Sequence, residues 1–265
     1  MRIAYIGIDL FCPALEKLYE LGCDIMEIFT CKTDNICEFN VKIIDFATKH
    51  NIPYTTNPIN REDIQRLLKK GCEAAICGGY YFKIPSDTSL PTVNIHPSLL
   101  PVGRGSWPMA QAILWGHKKS GVTIHKIAEG FDTGDILLQR EFCIDKDETH
   151  QTFMEKVNLL VTEMLKVLVD DFENIYKNAV PQGEGEYWKA PQETDYTVTA
   201  NMTVSEADLI LRAFFGYECI YKNGENETVI TGGRGVKCDN PSAFEFPLVD
   251  GYVKYEKILK KIKTK

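Results

Sequence analysis

The chain has 265 residues, of which 44% are hydrophobic, 25% charged and 11% aromatic, with 19 glycines and 12 prolines. These proportions exclude disordered, collagen-like and fibrous classes, and the length suits one large α/β domain with a smaller appendage, because single cores stop growing near ~250 residues. A formal net charge of −7 argues against indiscriminate nucleic-acid binding, so any polyanionic partner must be met locally.

In chain order, Arg2 to Ile8 predicts a first strand, Pro13 to Leu21 a helix closed by Gly22, and Asp24 to Thr30 a second strand. Val41 to His50 and Arg61 to Lys70 read as helices. Ala74 to Gly79 and Thr92 to His96 are short buried strands, followed by a helix over Trp107 to Gly116. Val122 to Ile127 and Ile136 to Ile144 are further strands, and Glu148 to Tyr176 keeps a helical period. The greasiest stretch, Leu159 to Val169, is broken by Glu163 and Lys166 and falls short of the ~18 residues of a membrane span, so no membrane partner is expected. Met1 to Gly7 runs straight into a strand and has no secretory pattern, which makes the cytoplasm the expected compartment. Nine cysteines, without a C-x-x-C pair, read as reduced thiols.

Strands alternating with amphipathic helices call for an α/β fold with a mostly parallel sheet, in which ligands sit beyond the carboxyl ends of the strands. The strand ends at 79 and 96 therefore matter most. We expect a catalytic domain over residues 1–180, a linker rich in Pro, Gly, Gln and Glu over 181–195, and a small β-rich domain over 196–265 that opens with a helix from Ser205 to Phe214. The tail from Lys254, with six lysines against one glutamate, reads as a solvated helix end.

Gly7 follows the first strand as in a nucleotide-binding turn, but the second and third glycines of G-x-G-x-x-G are missing, so a tight strand-to-helix turn is the better reading. Phosphate-loop, zincin and nucleophile-elbow motifs are also missing. The informative stretch is Asn94-Ile95-His96-Pro97-Ser98-Leu99-Leu100-Pro101, with Gly130-Phe131-Asp132-Thr133-Gly134-Asp135 downstream. Period two puts Asn94 and His96 on one side of a strand end, and Pro97 turns the chain out of the sheet. Asp132 lies in a loop flanked by glycines. An amide, an imidazole and a carboxylate converging in a crevice suit polarising a carbonyl and moving a proton near neutral pH.

These motifs, with Gly121-Val122-Thr123-Ile124-His125 and Asp132-Thr133-Gly134-Asp135-Ile136-Leu137, resemble the formyltransferases that use 10-formyltetrahydrofolate, in the branch of the methionyl-tRNA and nucleotide-sugar enzymes. Pro181-Gln182, Thr194-Asp195 and Leu211 to Gly224 look like the C-terminal module of the two-domain members. The resemblance implies a Rossmann-like formyltransferase domain plus a small β-rich C-terminal domain. It implies Asn94, His96 and Asp132 as catalytic residues and 10-formyltetrahydrofolate as cosubstrate. Folate contacts fall on Phe82, Lys83 and Ile84, beside Tyr81, and on Ile127, Ala128, Glu129 and Gly130. No metal is expected, since five histidines show no ligand spacing.

The amine acceptor separates two readings. A tRNA requires several basic contacts to phosphate, whereas a nucleotide-linked sugar requires one or two. The segment from Cys31 to Glu38 is short and balanced in charge where the tRNA enzymes usually carry a basic loop. Residues 196–265 hold ten basic and nine acidic residues. Both favour a nucleotide-linked amino sugar, with methionyl-tRNA as runner-up, and Arg104 and Trp107 are candidates for meeting the acceptor. A formyltetrahydrofolate hydrolase would use the same three residues with water as acceptor but would usually carry an amino-terminal regulatory domain, and strand one here starts at residue 2. A silent folate or nucleotide sensor would tolerate loss of the three residues. The sequence leaves the oligomeric state open.

Overall fold

A computed structural model describes residues 1–263 and divides the chain into two compact units. The first comprises residues 1–105, 120–142 and 155–187, and the second residues 106–119, 143–154 and those from Trp188 on. In chain order the first two-thirds contain β1 (Arg2–Gly7), α1 (Cys12–Glu20), β2 (Asp24–Phe29), α2 (Val41–Lys49), β3 (Tyr54–Thr55), α3 (Arg61–Lys69), β4 (Ala74–Gly78) and β5 (Thr92–His96). There follow α4 (Pro108–Leu114), β6 (Lys119–Lys126), β7 (Ile136–Cys143), α5 (His150–Asp170) and α6 (Phe172–Lys177).

Strands β3-β2-β1-β4-β5-β6-β7 form one sheet in that order. β1 pairs in parallel with β2 and β4, and β4 with β5, while β6 runs antiparallel to β5. Ala4, Ile6, Phe29, Ile64, Leu67 and Ala75 fill the core on one sheet face. Each large apolar side chain buried there contributes ~1.5–3 kcal/mol. The turn after β1 is used structurally: both Asp9 carboxylate oxygens accept backbone N–H bonds at the start of α2, from Lys42 and Ile43 at 3.0 Å each. A Cβ on Gly7 would stand 2.3 Å from the Gly78 carbonyl oxygen, so glycine there lets β1 and β4 approach. Helix α3 starts on a reciprocal cap, with Asn60 accepting from Glu62 and Asp63 and the Asp63 side chain accepting from the Asn60 N–H.

The helical run expected from Glu148 to Tyr176 is two helices, because Asp171 leaves the helical region (φ −146°, ψ 46°) and its carboxylate accepts a bond from the Asn174 amide. Within the segment expected as a linker, Trp188 is buried. Among the described residues, no helix is long and apolar enough to cross a membrane. None of the nine cysteines is joined in a disulfide.

The second unit carries β8 (Thr197–Thr199), α7 (Val204–Ala213), β9 (Cys219–Asn223), β10 (Asn226–Thr231), β11 (Arg234–Lys237), β12 (Gly251–Lys254) and β13 (Lys257–Lys263). One sheet has the order β13-β10-β9-β8, and β11 pairs with β12. Helix α7 begins on a Thr203–Glu206 capping box. The lysine-rich tail corrects the sequence expectation: it is a strand, paired antiparallel with β10 from Thr231↔Lys257 to Asn226↔Lys263. Interspersed Ile and Leu let this segment join a sheet, and lysines suit its place at the sheet edge, where they oppose pairing with other chains. Lys265 lies outside the described residues.

Candidate active site

Asn94 and His96 sit at the carboxyl end of β5, in the first unit, and antiparallel register puts His125 of β6 directly opposite Asn94. Asp132 enters from the loop between β6 and β7 with a left-handed backbone (φ 55°), a conformation uncommon outside glycine that aspartate tolerates better than most residues. Gly134 lets this loop lie against β6, since a Cβ there would stand 1.9 Å from the Lys126 carbonyl oxygen.

One carboxylate oxygen gathers the site. Asp132 Oδ1 lies 3.6 Å from His96 Nδ1, 3.5 Å from His125 Nε2 and 3.5 Å from Asn94 Nδ2, while Oδ2 accepts the Gly105 N–H at 2.9 Å. Burial by itself would push the Asp132 carboxyl up, but His96, His125 and the Gly105 N–H outweigh it and hold the group at about 2. Asp132 is therefore ionised at neutral pH. Burial pushes His96 below the usual histidine range, against the pull of Asp132 and the Gly103 carbonyl, so the neutral ring is favoured at neutral pH. His96 Nε2 lies 2.7 Å from Gly103 O, where the neutral ring donates. Its Nδ1 then carries a lone pair facing Asp132 Oδ1, a position ready to take a proton that the carboxylate would stabilise.

His125 has a different task. Its Nδ1 donates to Lys126 O at 2.8 Å, which leaves Nε2 unprotonated in the neutral ring, and that nitrogen accepts from Asn94 Nδ2 at 3.2 Å. The amide of Asn94 is thus oriented by a histidine whose own tautomer is fixed by the backbone. Gln182 steadies the same loop: its amide nitrogen donates to Asp132 O and Gly134 O at 2.9 and 2.6 Å.

A cleft of about 100 Å³ is lined by Asn94, His125 and Asp132 together with Cys77, Tyr80, Phe131 and six of the residues expected to contact folate: Phe82, Lys83, Ile84, Ile127, Ala128 and Glu129. The seventh, Gly130, lines it too. A chamber of about 550 Å³ shares Lys83, Ile84, Ala128 and Glu129 with that cleft and adds Arg61, Pro85, Ser86 and Asp87. The loop after β4 and the loop after β6 therefore form walls of one depression. Cys77 pairs with Asn94 across β4 and β5, and burial pushes its thiol up, so it stays protonated. Among the described residues, no group of three or more His, Cys, Asp or Glu side chains is placed to hold a metal ion.

Arg104 is held within the first unit, donating to Gln182 Oε1 from Nε and Nη2 at 3.1 and 2.9 Å and to Gly183 O at 3.0 Å. Trp107 belongs to the second unit, where its half-buried indole packs against Tyr217, Phe214 and His150, with ring centroids 4.7, 5.9 and 6.2 Å away. Sequence reasoning did not find His125 or Gln182 as parts of the site. His125 lies in a recognised motif, but its role rests on the antiparallel register opposite Asn94. Gln182 acts across 50 residues of chain, and no spacing rule links it to Asp132.

The fold and the site define a Rossmann-like α/β protein with an Asn-His-Asp cluster at the carboxyl end of its fifth strand. Residues 39–169 match the family model described as Formyl transferase. A methionyl-tRNA formyltransferase of Ehrlichia ruminantium (strain Gardel) is 31% identical over 182 residues, covering 67% of this chain and 59% of that protein. The chain thus spans less than two thirds of that relative's length. Residues 39–169 thus belong to the formyl transferase family. The fold is shared with a sugar N-formyltransferase from Shewanella sp. (TM-score 0.68, 18% identity, 87% of this chain and 96% of that one). It is also shared with HypX from Aquifex aeolicus in complex with tetrahydrofolic acid (TM-score 0.67, 17% identity, 88% and 38%).

Proposed function

We propose that the protein is an N-formyltransferase that takes the formyl group of 10-formyltetrahydrofolate and passes it to a primary amine, most favourably the amine of a nucleotide-linked amino sugar. The observation that carries this reading is the convergence of Asn94, His96 and Asp132 beside the cleft walled by Phe82 to Ile84 and Ile127 to Gly130. An apolar slot with a few placed polar groups suits a flat heterocycle.

The chemistry follows from the residues. Attack of an uncharged amine on the formyl carbon builds negative charge on the formyl oxygen. Asn94 Nδ2, held by His125, donates one N–H to that oxygen. A single donor of this kind is worth ~3–4 kcal/mol at the barrier. Gly103 O holds His96 in place, and the ionised Asp132 stabilises the imidazolium when Nδ1 takes the proton of the attacking amine. From there the proton passes to the leaving nitrogen of the folate.

For the acceptor, the segment from Cys31 to Glu38 supports a small substrate. It holds one lysine against two carboxylates, and it curls around Asp34, whose Oδ1 accepts the N–H bonds of Ile36, Cys37 and Glu38. Arg104, steadied by Gln182, meets an acceptor phosphate. Cytoplasmic operation belongs to the same reading. Methionyl-tRNA is the second reading, favoured by the named relative and by the lysines of β13, although Lys261 is paired with Glu245 at 2.7 Å. The test is a formyl-transfer screen of charged initiator tRNA against a panel of nucleotide-linked amino sugars. Formylation of an amino sugar is expected. Formylation of the tRNA alone overturns the acceptor, and no folate-dependent formylation of any amine overturns the enzyme.

A further inference from the structure

Arg104 stands between two glycines with positive φ, 76° at Gly103 and 122° at Gly105. Each of these neighbours touches a different catalytic side chain. Gly103 O accepts from His96 Nε2 at 2.7 Å, and the Gly105 N–H donates to Asp132 Oδ2 at 2.9 Å. Glycine loses more conformational freedom on folding than any other residue, so this tripeptide needs an anchor from outside itself. The Arg104 side chain supplies one. Its Nε and Nη2 both donate to Gln182 Oε1, Nη2 donates also to Gly183 O, and residues 104 and 187 form a backbone bridge. Gly185 lets this strap lie against the guanidinium, because a Cβ there would stand 3.1 Å from Arg104 Cζ and 2.4 Å from Pro101 O. The other end of the Gln182 amide holds the Asp132 and Gly134 carbonyls.

One edge of the half-buried guanidinium is thus spent inside the protein. The other is open, since Nη1 has no hydrogen-bond partner among the described residues. The contacts that carry the chemistry are slack by comparison. Asp132 Oδ1 lies 3.6 Å from His96 Nδ1, 3.5 Å from His125 Nε2 and 3.5 Å from Asn94 Nδ2, each beyond the ~3.2 Å of an ordinary N–H···O bond.

We infer that the phosphate of the acceptor completes the site: held on the open Nη1 edge of Arg104, it fixes the 103–105 tripeptide and Gln182 in the position that draws Asp132 onto His96 and Asn94. This rests on the reading of the acceptor as a phosphate-bearing amine. It makes Arg104 and Gln182 positioning residues as well as a grip on the substrate. A phosphate that merely bound would lower KM, whereas one whose binding organises the reacting groups raises kcat.

The test takes an amino sugar that the wild type formylates in nucleotide-linked form, the methyl glycoside of the same sugar, and inorganic pyrophosphate added in trans. In the wild type, pyrophosphate should raise formylation of the glycoside about tenfold, although it is not joined to the reacting amine. Arg104→Ala should lose that activation. Arg104→Lys keeps a charge for the phosphate but not the paired donors to Gln182, so kcat for the nucleotide-linked sugar should fall about tenfold with KM within about threefold. Gln182→Glu keeps an acceptor for Arg104 but has no N–H for the Asp132 and Gly134 carbonyls, and should show the same split. Pyrophosphate that leaves the glycoside rate unchanged or lowers it overturns the inference without any variant, and formyl transfer still stands. Equal activation of Arg104→Ala and the wild type, or an Arg104→Lys defect confined to KM, overturns it too. A wild-type protein that formylates no nucleotide-linked amino sugar overturns the acceptor reading itself.

Discussion

Two buried histidines, one in each unit, show what makes such a residue useful. His96 and His150 are both almost wholly inaccessible, and burial depresses both. His150 is pushed down to about 4, packs against Trp107 and Tyr217, and leaves its Nε2 without a partner. His96 has the Gly103 carbonyl at one ring nitrogen and an ionised carboxylate at the other. A proton arriving at His150 meets only desolvation, whereas one arriving at His96 meets a counter-charge. Burial supplies the low dielectric in both places, but only the carboxylate turns it into chemistry.

The comparison is broken most directly by removing the charge. Asp132→Asn should lower turnover by about 10³-fold or more while preserving the melting temperature within a few degrees, and His96→Asn should do the same. Steady-state rates beside thermal melts check this, and wild-type rates would remove the residue from the mechanism. Asn94→Ala, which deletes one donor to the developing oxyanion, should cost about 10²–10³-fold in kcat.

His125 tests whether orientation matters separately from charge. His125→Ala frees the Asn94 amide and should cost about tenfold in kcat with little change in KM for folate, whereas His125→Gln, which keeps an acceptor, should recover part of the loss. An equal loss in both variants would mean that His125 only fills space. Gln182→Ala should lower stability by about 1–2 kcal/mol, read by denaturant unfolding, because it leaves the Asp132 and Gly134 carbonyls and the Arg104 guanidinium short of a partner.

The smallest effect sharpens the other side. His150 takes its proton at about 4 when folded and near 6.5 when unfolded. The unfolded state therefore binds more protons between those values, and stability must fall as pH drops from about 6.5 towards 4. His150→Phe should flatten that part of the melting-temperature profile without changing turnover at pH 7. An unchanged profile would show that His150 does not control it.

Much of the first unit was legible in the chain. Apart from the two-residue strand β3, which the sequence reading did not include, the strands and helices from Arg2 to Lys69 emerge within a residue or two because their apolar periods and the glycine at Gly22 are local signals. The tail from Lys254 was misread because charge density suggested a solvated helix end, while the partner strand that makes it an edge is supplied by β10. Asp171 divides a helix whose periodicity continues on both sides of it.

Asn94, His96 and Asp132 could be picked out because their residue types, their spacing and a proline at the strand end are written along the chain. That Asp132 Oδ1 is shared by two histidines and an amide, and that Phe131 stands uncovered beside it, is written nowhere in one dimension. Local order fixes which groups are available. Sheet register and a left-handed turn, both products of packing between distant segments, decide which atoms face one another, and proton transfer is sensitive to that distance.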